Sequence, residues 1–443
     1  MGVIVQRRKL ADALTAALVT TAGGLTACSG SGGDADAQKI TYWASNQGTS
    51  IQNDKDVLTP ELKKFTEKTG IEVDLQVIGW NDLLNRIMSA TTSGDSPDVV
   101  NIGNTWSASL QATGAFVPFD GETMKSVGGK DKFLATSMSS TGVPGETPTS
   151  VPLYGLSYGV FYNKKHFTDA GLTTPPTTWD QLVTDAKKLT KPGGKQYGLT
   201  LAGASYTENS HFAFMFGKQQ GGEYFDDKGD PTFVTDQNVK GIQQYVDLLG
   251  KHKVATPSSA EHTTTTDAIA DFTSGKASML MGQNNTAAGI EAGGMKADEF
   301  GVAPIPIVSP LPPGGEKINS HVAGINIAAF SGKNEEGALK FVDFMTSKDT
   351  QVSLNKSFGA LPVTQEASQH PDFQTPENKV FVDVLAKTAA PMPMIANESQ
   401  FETTVGNGMK DLIARAATGK SVTDADVRKT LENAQEKMKS GGS

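Results

Sequence analysis

Between Ile40 and Ile102 the chain passes twice from extended into helical patterning and back, and that alternation limits the folds open to it. Ile40 to Trp43 is a short run of β-favouring residues. Ile71 to Val77 sets apolar and polar residues at every second position, and Pro97 to Ile102 forms a third strand pattern. Helical patterns fill the gaps. Thr59-Pro60-Glu61 predicts the start of the first, with Thr59 as N-cap, proline at the first helical position and an acid in the first turn. Leu62 and Phe65 follow at helical spacing, and Gly70 stands where a left-handed terminator belongs. Asn81 predicts the cap of the second helix, which carries Leu83, Leu84, Ile87 and Met88. Strands separated by helices are joined by crossovers, so the order βαβαβ predicts a mostly parallel sheet. In such a sheet ligands gather outside the carboxyl ends of the strands.

Three of the four tryptophans fall at that edge. Trp43 ends the first strand pattern, Trp80 follows the second, and Trp106 follows the third. Each could anchor its own loop, but together they predict a shared aromatic pocket, because indole faces pack well against the C–H faces of sugar rings. Asn46, Gln47, Asn104 and Asp98 lie close in sequence and supply amide or carboxylate partners for hydroxyls. The fourth, Trp179, stands behind Thr178 at a helix start and reads as a packing residue.

The N-terminus reads as an export signal: Arg7-Arg8-Lys9, a stretch of small and apolar residues to Leu25, then Leu25-Thr26-Ala27-Cys28. Leu-Thr-Ala-Cys resembles the lipobox of bacterial lipoproteins, in which the cysteine is acylated and becomes the first residue. Residues 1–27 are therefore expected to be a lipoprotein signal peptide, Cys28 the lipidation site, and 28–38 a Gly/Ser/Asp/Ala tether. Cys28 is the single cysteine, so no intrachain disulfide forms. The length of 443 residues exceeds one ordinary core and suits two lobes. A net charge of −9 makes nucleic acid a poor partner.

Beyond residue 40 a set of short motifs recurs in order: Thr41-Tyr42-Trp43, Ser96-Pro97-Asp98-Val99-Val100, Val151-Pro152-Leu153-Tyr154 and Phe161-Tyr162-Asn163-Lys164. Pro176-Thr177-Thr178-Trp179, the stretch from Asp271 to Met279, and Gly359-Ala360-Leu361-Pro362-Val363 complete it. In order and spacing they resemble the extracellular solute-binding proteins of bacterial ABC importers, in the carbohydrate cluster that includes maltose-binding protein. The resemblance covers nearly the whole chain after the tether. It implies an α/β fold of the type II periplasmic-binding-protein kind, two α/β lobes with a hinge and a ligand cleft between them. The implied lobes are 39–154 plus 307–357 and 158–303 plus 361–443, with crossings near Gly155, Pro304-Ile305-Pro306 and Gly359.

The same resemblance implies the contacts. Trp43, Asn46, Gln47, Trp80 and Trp106 would come from the first lobe, and Tyr154 and Ser157 from the crossing. Tyr206, Glu208, Asn209 and Asn284 would come from the second lobe, with Ser320 and His321 at the return. The maltose binder's stacking tryptophans are missing near Asn284 and Phe401, so the implied ligand is a di- or oligosaccharide of xylo-, chito-, cello- or malto-type. The implied partners are permease subunits in the membrane with a separate ATPase. The chain itself would be an extracytoplasmic monomer held to a Gram-positive-like cell membrane by its lipid, with no cofactor and no metal.

Competing signals are weak. Ala414 to Ser421 nearly matches a phosphate-binding loop, but its first glycine is Ala414 and a helix runs from Met409 to Ala417, so Gly419 reads as a helix terminator. No His-Glu-x-x-His and no Gly-x-Ser-x-Gly occurs. A secreted glycosidase is the alternative reading, since a chain with 48 acidic residues can always offer a carboxylate pair.

Overall fold

The computed structural model describes residues 39–332 and 334–441. The expected signal peptide, Cys28 and the tether lie outside the described residues. Eleven strands are described: β1 Lys39–Ser45, β2 Glu72–Ile78, β3 Val99–Gly103, β4 Val151–Leu156, β5 Tyr158–Asn163, β6 Tyr197–Thr200, β7 Ala277–Gln283, β8 Phe300–Ala303, β9 Ser320–His321, β10 Ala323–Ala329 and β11 Ala389–Ala390. They form one sheet in the order β2-β1-β3-β10-β4, a second in the order β6-β7-β5-β8, and a short β11-β9 pair. The architecture is the mixed α/β arrangement expected of two lobes.

The βαβαβ reading of residues 40–102 is present, with parallel pairing of β1 to β2 and of β1 to β3. The element edges differ from expectation. The first helix is Ile51–Thr69, opened by Ser50, whose hydroxyl accepts from Asn53 N–H. Thr59 is inside it, its hydroxyl donating to Lys55 O at 2.6 Å, and Pro60 follows. A proline there removes the hydrogen bond to Asp56 O. Asp56, Thr59 and Pro60 are all exposed, so water takes up that carbonyl. The second helix is Trp80–Ser93 and is preceded by Gly79, which displaces Asn81 as the cap. Gly70 does end the first helix, at φ 76°.

The first sheet is not parallel throughout. β10 runs antiparallel to both β3 and β4. The reason is the route of the chain. β4 leaves the first sheet at Leu156 and, after Ser157 alone, β5 begins the second. β10 returns to the first sheet at the same end, pairing Ala323 with Leu156, and must therefore run back along its neighbours. The carboxyl ends of β1, β2, β3 and β4 consequently face the junction between the sheets. In the second sheet β7 ends there too, with Gln283 opposite Tyr158 and β6 parallel to it.

A third passage follows the helix Lys348–Phe358. Gly359 takes φ 65°, and Leu361 forms a two-way bridge with Gly155, each N–H donating to the other's carbonyl at 2.8 Å. A Cβ on Gly155 would approach Leu361 O to 3.0 Å, which is why a glycine suits this close pass. Beyond it, the helix Pro376–Lys387 packs on β5 and β8. The helix Glu398–Ala417 lies along the helix Tyr206–Gln219, so tightly at Gly406 that any side chain there would strike the backbone of Tyr206.

Each face of the first sheet has its own core. Ile40, Tyr42 and Ala44 point to one, where Tyr42 meets Phe341 edge-on at 5.0 Å. Trp43 points to the other with Val100, Ile102, Leu83, Leu84 and Ile87. Among the described residues no helix is long and apolar enough to cross a membrane. Nor do any His, Cys, Asp or Glu side chains among them group so as to hold a metal ion.

Candidate functional site

A cavity of about 500 Å³ opens at the junction, where the carboxyl ends of both sheets meet. That size lies within the range of small-molecule sites, roughly 300–1,000 Å³. On the first sheet's side its wall comes from the turns after β1, β2 and β3: Asn46 to Thr49, Trp80, and Gly103 to Thr105. On the second sheet's side it comes from Ser205, Thr207, Glu208 and His211 after β6, and from Gln283, Asn285 and Thr286 after β7. Thr264 to Asp267, His321 and Phe358 close it.

Asp54 braces the turn after β1. The fully buried carboxylate accepts from Gln47 N–H at 2.8 Å and Gly48 N–H at 3.1 Å, and from the Asn46 side chain. Burial pushes its pKa up to about 6, against the pull of those donors. Across the opening, the Asn285 amide reaches Gln47 O at 3.5 Å.

The helix Tyr206–Gln219 starts at the cavity. Ser205 caps it by accepting from Glu208 N–H. Glu208 and His211 stand three residues apart, so both project to one helix face. Glu208 Oε2 is buried with no hydrogen-bond partner, and burial raises its pKa while the nearby His211 and Tyr158 oppose the rise. His211 Nδ1 meets the Tyr158 hydroxyl at 2.8 Å, and its Nε2 meets Glu402 Oε1 at 3.1 Å. The carboxylate only accepts, so the proton of this second contact sits on Nε2. Gln283 donates to the Tyr158 hydroxyl at 3.1 Å. His321, 1% exposed, has neither ring nitrogen partnered. Burial first, then the nearby His211, holds its pKa well below the usual range, which leaves a neutral ring offering one donor and one acceptor. Asp267, by contrast, is spent on capping the helix Thr265–Thr273, accepting from Thr263 and Thr264.

Of the residues expected from sequence, Asn46, Gln47, Trp80, Glu208 and His321 line the cavity. Asn104 does as well, with its amide donating to Val322 O at 2.7 Å. The others do not. Trp43 does not end β1: the strand runs on to Ser45, and alternation turns the indole into the sheet's second core, where the Arg86 guanidinium covers it at 4.2 Å. Trp106 is fully buried behind Trp80, stacked on it at 4.8 Å and 25°, with Nε1 donating to Glu402 Oε2 at 2.7 Å. The three indoles do cluster, but one of them meets the cavity.

The remaining expected residues hold the frame. Asp98 accepts from Thr41 N–H at 2.7 Å. Tyr154 packs edge-on against Phe358. Asn209 donates to Gly203 O at 3.0 Å. Ser320 Oγ accepts from Tyr158 N–H at 3.0 Å. Asn284 accepts from Ser157 N–H and donates to Gly359 O, both at 2.8 Å, and so ties two of the chain passages together. Tyr206 lies over the crossing with Gly406. Trp179 is buried edge-on against Phe216 beneath its Thr178 cap, the packing role its position indicated.

Sequence reasoning passed over His211, Gln283 and the threonine run 264–266. The first had a readable signal, since Ser205-x-x-Glu208 is a helix-start pattern and His211 is one turn further on the same face. Gln283 is placed by its pairing with Tyr158, and the threonines by the helix start that Thr264 and Asp267 cap.

Residues 48–352 match the family described as bacterial extracellular solute-binding protein. The diacetylchitobiose binding protein DasA of Streptomyces coelicolor is 24% identical over 92% of this chain and 95% of its own length. The sn-glycerol-3-phosphate-binding periplasmic protein UgpB of Rhizobium meliloti is 24% identical over 75% of this chain and 76% of its own. The GacH receptor of Streptomyces glaucescens GLA.O, solved unliganded and with acarbose, shares the fold at a TM-score of 0.75 and 23% identity, covering 90% of this chain and 98% of that one.

Proposed function

This chain belongs to the family of bacterial extracellular solute-binding proteins, and on that premise we propose that it captures a di- or oligosaccharide for an ABC importer. The ligand is of xylo-, chito-, cello- or malto-type, held between two lobes that close about the hinge formed by the crossings near Gly155, Pro304-Ile305-Pro306 and Gly359. The loaded protein delivers it to membrane permease subunits served by a separate ATPase, and performs no catalysis. Cys28 carries the lipid that keeps the protein at the outer face of the membrane.

One observation carries the choice of a sugar. The polar part of the cavity wall is built of amides, hydroxyls, two imidazoles and two carboxylates, its apolar part of one indole, the Phe358 ring and a few aliphatic side chains, and among the described residues no lysine or arginine lines it. An uncharged ligand rich in hydroxyls satisfies such a wall, whereas a phosphate would meet carboxylates with no lysine or arginine to offset them. Glu208 Oε2 and the His321 ring are buried, line the cavity and have no partner within the protein, so ligand hydroxyls that reach them would supply hydrogen bonds the protein itself does not. Trp80 supplies the apolar face for a sugar ring.

Thermal-shift and calorimetric titration against xylo-, chito-, cello- and malto-oligosaccharides, with sn-glycerol 3-phosphate alongside, tests this. Saturable binding of a neutral sugar is the expected result. Binding of the phosphate alone would overturn the reading, and release of monosaccharide from a bound disaccharide would show a glycosidase instead. In cells, fatty-acid analogue labelling should be lost in Cys28→Ala; persistent labelling would refute the anchor.

A further inference from the structure

We propose that Glu402 is the positioning residue that joins the two walls of the cavity, although it lines none of it. Both carboxylate oxygens are used, and in different directions. Oε2 receives Trp106 Nε1–H at 2.7 Å, from the turn that follows β3 of the first sheet. Oε1 receives His211 Nε2–H at 3.1 Å, from the helix that follows β6 of the second. Trp106 is the platform on which Trp80 stacks, and Trp80 and His211 each line the cavity from opposite sides. One carboxylate therefore sets the tilt of an indole pair on one wall and the ring orientation of a histidine on the other.

The placement is costly unless it serves such a role. Glu402 is fully buried, and an ion withdrawn from water is tolerated only when strong donors replace its hydration. One turn earlier, Glu398 is also fully buried, with neither oxygen partnered. Burial, then the neighbouring Glu402, raises the pKa of Glu398 well above the carboxylate range. A second tie runs beside the first, from Ser399 N–H to Ser109 Oγ at 3.1 Å. The amino end of the helix Glu398–Ala417 thus bridges the two sides, and Glu402 is the group within it that reaches the cavity-lining His211 on one side and Trp106, the platform behind Trp80, on the other.

That the cavity is the ligand site rests on the function proposed above; the bridge itself does not, and the test separates them. The full chain is compared as wild type, Glu402→Ala, Glu402→Gln, Glu398→Gln and Trp106→Phe, first without ligand. Small-angle scattering reads the radius of gyration, and acrylamide quenching reads access to the indoles. Glu402→Ala should be larger in radius and several-fold more quenchable. Trp106→Phe leaves a benzene ring to stack on Trp80 but loses the donor together with the rest of the indole, so its radius and the quenching of the remaining indoles should shift the same way by less, and it serves if Glu402→Ala does not fold. Glu402→Gln retains an acceptor for Trp106 but turns an amide N–H towards His211 Nε2, so it should shift radius and quenching less than Glu402→Ala, whereas Glu398→Gln should stay near wild type. A purely structural role would lower the unfolding midpoint of Glu402→Ala while leaving radius and quenching unchanged. Wild-type radius and quenching in both Glu402→Ala and Trp106→Phe would overturn the proposal.

The ligand arm uses N,N′-diacetylchitobiose and maltotriose by calorimetry. Glu402→Ala should bind whichever wild type binds about tenfold or more weakly, the effect of losing one charged hydrogen bond. If wild type binds neither, the sugar reading fails for these probes, and the ligand-free comparison still decides the role of Glu402.

Discussion

Replacing Asn284 with alanine should destabilise the protein by an amount that its two side-chain bonds allow one to estimate. Asn284 is 2% exposed. Its Oδ1 accepts from Ser157 N–H at 2.8 Å and its Nδ2 donates to Gly359 O at 2.8 Å. Its own N–H bonds Ser157 O at 3.0 Å, a backbone contact that alanine keeps. Truncation strands the Ser157 N–H in a fully buried position, at a cost of about 1–3 kcal/mol. Gly359 is only half-buried, so water can reach its carbonyl and the further loss is about 1 kcal/mol. Asn284→Ala should therefore lose about 2–4 kcal/mol in urea denaturation followed by circular dichroism. Asn284→Asp is the sharper probe. It keeps an acceptor for Ser157 but sets a buried carboxylate against the Gly359 carbonyl. Both burial and that dipole raise its folded pKa above the unfolded value. The proton-linked stability is then present below the unfolded pKa and is lost as pH rises through the folded one. Asn284→Asp should accordingly approach wild type in acid and fall away from it towards neutral pH. A stability of Asn284→Ala within about 0.5 kcal/mol of wild type would refute the clasp. So would an Asn284→Asp deficit that does not change with pH.

Trp80→Ala should weaken sugar binding by about 1–3 kcal/mol, measured by calorimetry, because it removes the one indole that meets the cavity. Trp179→Ala should lower stability by about 3–5 kcal/mol in the same urea assay and spare affinity, since the ring is packed on Phe216 away from the site; the reverse pattern would mean that pocket and core have been confused. Asp271 is shielded from water, which raises its pKa, but bonds from Ser258, His262 and Lys276 outweigh that and hold it at about 2 against an ordinary 3.8. Its contribution is present above pH 3.8 and lost as pH falls through about 2, so Asp271→Asn should cost about 2 kcal/mol at neutral pH and flatten the acid limb of the stability profile. An unchanged acid limb would show that those three bonds do not carry that stability.

The sequence was sufficient for what depends on neighbours along the chain. β-Favouring residues made β1 and β3 and a period-two run made β2, Gly70 ended the first helix, and Thr178 capped the helix that Trp179 begins, because strand patterning and helix ends are set within a few residues. Even there the edges moved. Pro60 looked like a helix start, yet its lost hydrogen bond faces water, where it costs little enough for the helix to begin at Ile51. Motif order identified the family, and the turns after β1, β2 and β6 brought Asn46, Gln47, Trp80 and Glu208 to the cavity. The tertiary structure decided what each polar group is spent on. Asn284 and Ser320 have the chemistry of ligand contacts, but backbone N–H groups of the junction strands reach them and take up their acceptors. Trp106 has the chemistry of a stacking platform for a sugar, but Glu402, 296 residues away along the chain, accepts its N–H. Hydrogen-bonding groups are consumed by whichever partner the fold brings within 3 Å or so, and for residues so far apart along the chain no local pattern encodes which partner that is.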